Sequence, residues 1–284
     1  MPLAALSIVL GAAVLHAVWN LLLKQAHNKQ VFLMWATLTC VICLPSVLFL
    51  TPVPEQVWPF IFFSALAEAL YFILLTWAYN IGDFSLVYPI ARGAAPVLLT
   101  LWIALFLKDA PSIFGLGGIL LLVIGLVVVG SGAFWQKLSV TRLSFAGIGV
   151  ALLTAVCISI YSAIDGAAMR VANPLTYTVW IFSLSALMAA PFITLRYGTQ
   201  LAIAELRANW SRIIVVGLLM LVTYGAVLFA YSLGRVSYTG SIREVSIVFG
   251  ALMGWRFLGE GFGLIRIIGA VLIFAGIIII ATLG

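Results

Sequence analysis

The sequence predicts an all-α membrane protein with ten transmembrane helices arranged as two inverted five-helix repeats. Three observations predict it: a composition too apolar for a soluble globule, a regular series of apolar runs of span length, and an internal duplication. Of 284 residues, 65% are hydrophobic and 8% charged, whereas an average soluble protein has about a quarter of its residues charged. Fourteen Lys+Arg and eight Asp+Glu cannot cover the surface of a soluble domain of this length. The formal charge of +6 is dispersed rather than clustered, which excludes a nucleic-acid partner.

A bilayer core about 30 Å thick requires roughly 20 apolar residues per helix. Span one covers 3–23; with no basic segment ahead of it and an apolar run reaching Leu23, it reads as a helix and not a cleaved signal peptide. Span two, 31–51, follows the polar break Lys24 to Gln30. Its Cys40 and Cys43 lie in an apolar run, as does Cys157 later, so they read as packing residues and not a redox pair. Span three, 57–80, follows the turn Thr51 to Glu55. Span four, 84–107, follows Gly82-Asp83, and its Pro89 and Pro96 remove two backbone donors, which predicts a bend. Spans five and six, 112–133 and 144–169, are preceded by the break Lys108 to Pro111 and by a polar loop. Span seven, 174–195, starts at Asn173-Pro174; spans eight, nine and ten cover 211–233, 237–258 and 263–283. The last run is apolar on every face, which excludes the alternating strands of a membrane barrel and requires a helix. The loops are too short for an extramembrane domain.

The two halves repeat. Trp77 to Gly82 matches Phe229 to Gly234 at an offset of 152. An offset of 151 then pairs Arg92 with Arg243, Phe106-Leu107 with Phe257-Leu258, Asp109 with Glu260, and Gly118 and Gly125 with Gly269 and Gly276. The repeats cover 1–133 and 144–284. Five spans is an odd number, so the second copy enters the membrane from the opposite side, the symmetry that underlies alternating access in many carriers.

These residues resemble the drug/metabolite transporter superfamily, specifically its ten-helix EamA-type members. The resemblance rests on the span layout, on Ala-Tyr-x-x-Gly before spans four and nine, and on the Phe-Leu-x-acidic ends at Phe106 to Asp109 and Phe257 to Glu260. The Gly-rich fifth and tenth spans and Leu15 to Asn20 with Lys24 add to it. It implies a proton- or gradient-driven carrier, or a facilitator, for small metabolites such as amino acids. Lys108-Asp109 departs from the Gly-Glu expected there.

Charges deep in spans mark a candidate site, since each costs about 2.5–3.5 kcal/mol near a helix centre. Glu68 sits mid-span in span three, as a ligand contact, a proton acceptor or a structural hydrogen bond. Arg92 offers a planar fork to a carboxylate, or an ion pair between helices. Arg243 and Glu244 stand in the corresponding place of the second repeat. They point about 100° apart on a helix, so one should face the site and the other a neighbouring helix. Glu68 and Glu244 balance Arg92 and Arg243, so a zwitterionic or neutral solute is expected. His16, Trp19 and Asn20 share one face of span one, for proton relay or packing. Asp165 and Tyr161 form an i, i+4 pair near the end of span six, where loop water accounts for the carboxylate equally well. Tyr71, Tyr88 and Tyr224 supply aromatic walls or ordinary packing. Arg92, Arg243 and Glu68 are expected to project into a hydrated chamber between the repeats.

No nucleotide-binding P-loop and no metal-dependent or serine-type catalytic motif occurs, so neither a primary pump nor an enzyme is expected, and no cofactor or metal. The partners expected are a small-molecule solute and membrane lipid, with the chain a monomer or homodimer. A flippase for lipid or isoprenoid-linked substrates, or a channel-like facilitator, is the alternative. A multi-pass protein of the cell (inner) membrane is expected. Eight Lys and Arg lie in loops on the side opposite the termini against Lys108, Arg170 and Arg235 on the terminal side, which taken alone puts the termini outside, whereas the resemblance to ten-helix transporters implies termini inside.

Overall fold

The computed structural model describes residues 1–46, 52–81, 84–136, 145–258 and 263–284, with side chains described outside 75–90, 130–146 and 258. Every element among them is helical. The first half contains α1 (Leu3–Lys24), α2 (Lys29–Leu38), α3 (Trp58–Ile81), α4 (Phe84–Trp102) and α5 (Ile113–Gln136). The second contains α6 (Phe145–Ala168), α7 (Pro174–Tyr197), α8 (Thr199–Leu233), α9 (Val236–Ile242), α10 (Ser246–Leu258) and α11 (Leu264–Leu283).

Local chemistry sets the helix ends. The Asn28 side chain accepts from the amides of Gln30 (3.2 Å) and Val31 (3.1 Å), and Asn173 does the same for Leu175 and Thr176 with Pro174 at the first helical position. Such caps satisfy amides that have no partner within the helix. Lys108 ends the fourth segment in a left-handed conformation (φ 54°).

Seven helices are long and apolar enough to cross a membrane among the described residues, and Ala91–Leu107 and Ile113–Val129 are shorter apolar stretches. Several segments depart from plain spans. α2 tightens into a 3-10 turn over Thr39–Cys43. α4 runs helically through Pro96, and its irregularity comes later, as a π turn over Ile103–Leu107; Pro89 has no described side chain. The expected ninth span is interrupted by a 3-10 turn at Arg243–Val245 between α9 and α10. α8 begins at Thr199, twelve residues before the expected start at 211, and Asn209 (φ −128°, ψ 16°) breaks it. The leading piece holds Gln200, Glu205 and Arg207 among apolar residues, so its polarity reads as loop in sequence. Its Glu205 is buried, accepting from the Asn28 amide (3.4 Å) and the Asn209 side chain (2.8 Å).

The most extensive helix contact joins α5 and α11. A Cβ placed on Gly118 would stand 2.9 Å from the Gly276 carbonyl oxygen, and one on Gly125 2.7 Å from that of Gly269. Only glycine permits backbones this close. Gly117 meets nothing within 4 Å, so it takes no part in this contact. Because the higher-numbered residue of α5 meets the lower-numbered one of α11, the two helices run antiparallel. α6 packs on α3 and α4, α1 on α8 and α10, α7 on α3, and α2 on both α7 and α8. The largest buried cluster draws on both halves, from Phe32 and Ile61 to Ile181 and Leu228.

Candidate functional site

Polar side chains from both halves converge in the interior. Asp165 on α6 is fully buried and accepts from the Ser64 hydroxyl of α3 (2.5 Å), from Tyr177 of α7 (2.8 Å) and from Tyr224 of α8. A buried carboxylate with three hydroxyl donors is held by its structure and not by loop water. This corrects the placement of Asp165 near a wetted span end. Tyr161 is not among its partners in the hydrogen bonds described; that ring lies 6.2 Å from Tyr71 and 6.3 Å from Tyr224, and Phe182 stacks on Tyr224 at 5.3 Å.

Glu68 lies one turn along α3 from Ser64, so both face α6. It is 6% exposed. Ser185 of α7 is its hydroxyl neighbour, Asp165 acts on it electrostatically, and its Oε2 atom is buried with no hydrogen-bond partner.

A second group forms where α4 meets the turn between α9 and α10. Glu244 stands between two guanidiniums, with Arg92 Nε at 2.8 Å and Arg243 Nε at 3.4 Å, all three buried. The expectation that Arg243 and Glu244 part company holds for the shorter contact, which Arg92 makes from the other half. The tightened 3-10 turn nevertheless keeps Arg243 within ion-pair distance of its neighbour, and Arg243 also reaches Ser162 of α6 (3.4 Å). The crevice lined by Pro96, Ser159, Ser162, Gly240, Arg243 and Glu244 is too narrow for a water molecule. These side chains are therefore enclosed by protein, and the described residues pack tightly around this group where a hydrated chamber was expected.

His16 packs edge-on against Trp19 (4.5 Å) and faces the electrostatic field of Arg92 and Arg243. The Trp19 indole N–H has no partner, and the Asn20 side chain donates back to the His16 carbonyl of its own helix (2.8 Å). Tyr71 is half-buried beside Tyr161. Tyr88 lies outside the residues whose side chains are described, as do Asp83 and Glu260. Sequence reasoning missed Ser64, Ser162, Tyr177 and Ser185. Each is an ordinary helix residue whose role depends on which neighbour it meets, though Ser64 and Glu68 at i, i+4 signal a polar face. With Asp165 inside, three carboxylates accompany two guanidiniums, so the deep charges no longer balance.

The two ends of the bundle are each tied across the halves. At the end with the termini, Arg235 Nε lies 3.3 Å from Asp109, and Tyr238 accepts from the Ser112 amide (3.0 Å). At the other end, the Trp35 indole donates to the Ala202 carbonyl (2.9 Å), beside the Asn28–Glu205 contact.

Comparison with known proteins bears on the fold and on the second half of the chain. A solved crystal structure, 17% identical, matches 98% of this chain and 97% of its own with a TM-score of 0.80, which shows a shared fold. The comparison with curated proteins gives no match. The model of the EamA-like transporter family matches residues 145–282, the half that contributes Asp165, Arg243 and Glu244. This match over the second half agrees with the resemblance to the drug/metabolite transporter superfamily, and the apolar helices make the chain a membrane protein.

Proposed function

We propose that the protein is a secondary carrier that moves a small solute by alternating access, its two five-helix repeats, 1–133 and 144–284, inverted about one central site. The antiparallel packing of α5 on α11 carries this reading. The duplication offset equates Gly118 with Gly269 and Gly125 with Gly276. The contacts pair Gly118 with Gly276 and Gly125 with Gly269, so exchanging the halves maps one contact onto the other. Copies running the same way would bring these helices together in parallel. The same exchange turns the α3–α6 contact into α8–α1, α4–α6 into α10–α1, and α3–α7 into α8–α2. The apolar segments too short or interrupted to count as spans fit the ten-span layout as its fourth, fifth and ninth crossings.

Between these halves lie the polar groups. The Arg92–Glu244 pair bridges them, while the ties at both ends and the tight interior correspond to a closed state. Opening one end requires breaking either the Asp109–Arg235 and Ser112–Tyr238 contacts or those of Trp35 and Glu205. A site with guanidiniums at one pole and carboxylates at the other favours a solute bearing both charges, such as an amino acid. Counterflow in proteoliposomes tests the reading. Saturable exchange of labelled solute against unlabelled solute on the opposite side is expected. Non-saturating flux would replace the carrier with a channel-like facilitator, and translocation of a headgroup-labelled lipid would replace it with a flippase.

A further inference from the structure

The arginines have a carboxylate partner within the site, whereas among the described residues the acids on α3 and α6 have hydroxyl neighbours and no ion pair within 4 Å. Arg92 and Arg243 converge on Glu244. Ser64, one turn from Glu68 on α3, donates to Asp165 on α6, which brings one carboxylate from each half of the chain to the same region. Asp165 has three hydroxyl donors, whereas Glu68 keeps a buried acceptor oxygen with none. An acceptor hidden from water without a donor costs about 1–3 kcal/mol, and a second carboxylate beside it adds repulsion. The missing element is a positively charged hydrogen-bond donor. Tyr71, Tyr161 and Tyr224 stand ring beside ring at 6.2 and 6.3 Å, and electron-rich ring faces favour an ammonium group.

We infer that Glu68 and Asp165 form the amine-binding pole of the solute site, taking the ammonium group of the transported molecule. The inference rests on the carrier reading for its consequence in transport, but the pole itself is a binding property. Glu68 receives the N–H donors, Asp165 supplies the second negative charge while its hydroxyls keep it in place, and the tyrosines wall the group. Opening of the halves admits the solute to this pole. The pairing of two carboxylates here against the Arg92–Glu244–Arg243 group favours a solute that brings an amine, with a carboxylate secondary.

The test uses the full chain in nanodiscs with three probes of one scaffold: phenylalanine, phenethylamine and 3-phenylpropionate. Affinity is read calorimetrically and by thermal stabilisation. Phenethylamine and phenylalanine should bind, and 3-phenylpropionate at least about tenfold more weakly. Glu68→Gln should cost phenethylamine about tenfold or more, with Glu68→Asp restoring part of the loss. Should Glu68→Gln fail to fold, the ratio of amine to acid affinity in the unmodified protein decides alone. Equal affinity for amine and acid, no binding of the amine, or unchanged amine affinity in a folded Glu68→Gln protein overturns the inference. Glu68-dependent amine binding without counterflow would retain this pole and refute the carrier. Counterflow with amine binding indifferent to Glu68 would do the reverse.

Discussion

Replacing Gly125 by alanine tests the contact on which the arrangement of the halves depends. The added methyl would stand 2.7 Å from the Gly269 carbonyl oxygen, 2.7 Å from Ile273 Cγ1 and 2.8 Å from the Ile273 amide nitrogen, where ordinary contact begins at 3.4 Å. Two of those three atoms are backbone, so no rotamer change relieves them and the helices must separate by roughly 0.7 Å. Overpacking of this kind costs about 1–3 kcal/mol, or about 5–150-fold in an equilibrium constant. Gly117→Ala on the same helix is the control, because its methyl meets nothing within 4 Å, and it corrects for the higher helix propensity of alanine. Unfolding by mixed detergent titration, followed by circular dichroism, should place Gly125→Ala below Gly117→Ala by that margin. Equal stability of the two variants would refute the backbone contact and, with it, the antiparallel argument.

Other consequences can be measured in the same system. Glu244→Gln should destabilise by about 3–5 kcal/mol, since it leaves two buried guanidiniums facing each other, and Arg92→Gln should cost less because Arg243 still balances the acid; the reverse order in thermal unfolding would contradict the shared pair. Tyr224→Phe should cost about 1.5–3 kcal/mol, the range for a hydrogen bond to a charged group, and no change would remove Tyr224 from the Asp165 cluster. Asp109→Asn should change stability by less than about 1 kcal/mol, as its pair with Arg235 is partly exposed.

Helix positions were legible in the sequence because an apolar run in lipid has one way to satisfy its backbone. The polar deviations were less so. Arg243 to Val245 tightens within a hydrophobic segment that reads as continuous, and nothing in local composition distinguishes a 3-10 turn from an α-helical one there. The start of α8 was hidden because Glu205 and Arg207 resemble loop residues, while their helix is fixed by Asn28 and Trp35, distant in sequence. Glu68, Arg92, Arg243 and Glu244 were readable as deep charges. Asp165 was misplaced because distance from a span end was the only measure available, and its hydroxyl partners come from three other helices. Tyr177 and Ser64 acquire meaning only from that carboxylate.

The lone acid between two arginines has a bearing on direction. Under the duplication offset Arg92 and Arg243 occupy equivalent places, but the counterpart of Glu244 is Gly93. If the proposed carrier changes facing by swapping the shapes of its halves, the anion stays behind on the same copy. Under that proposal the two facings would differ in energy even with identical solutions on both sides, and the empty protein would rest with one mouth favoured.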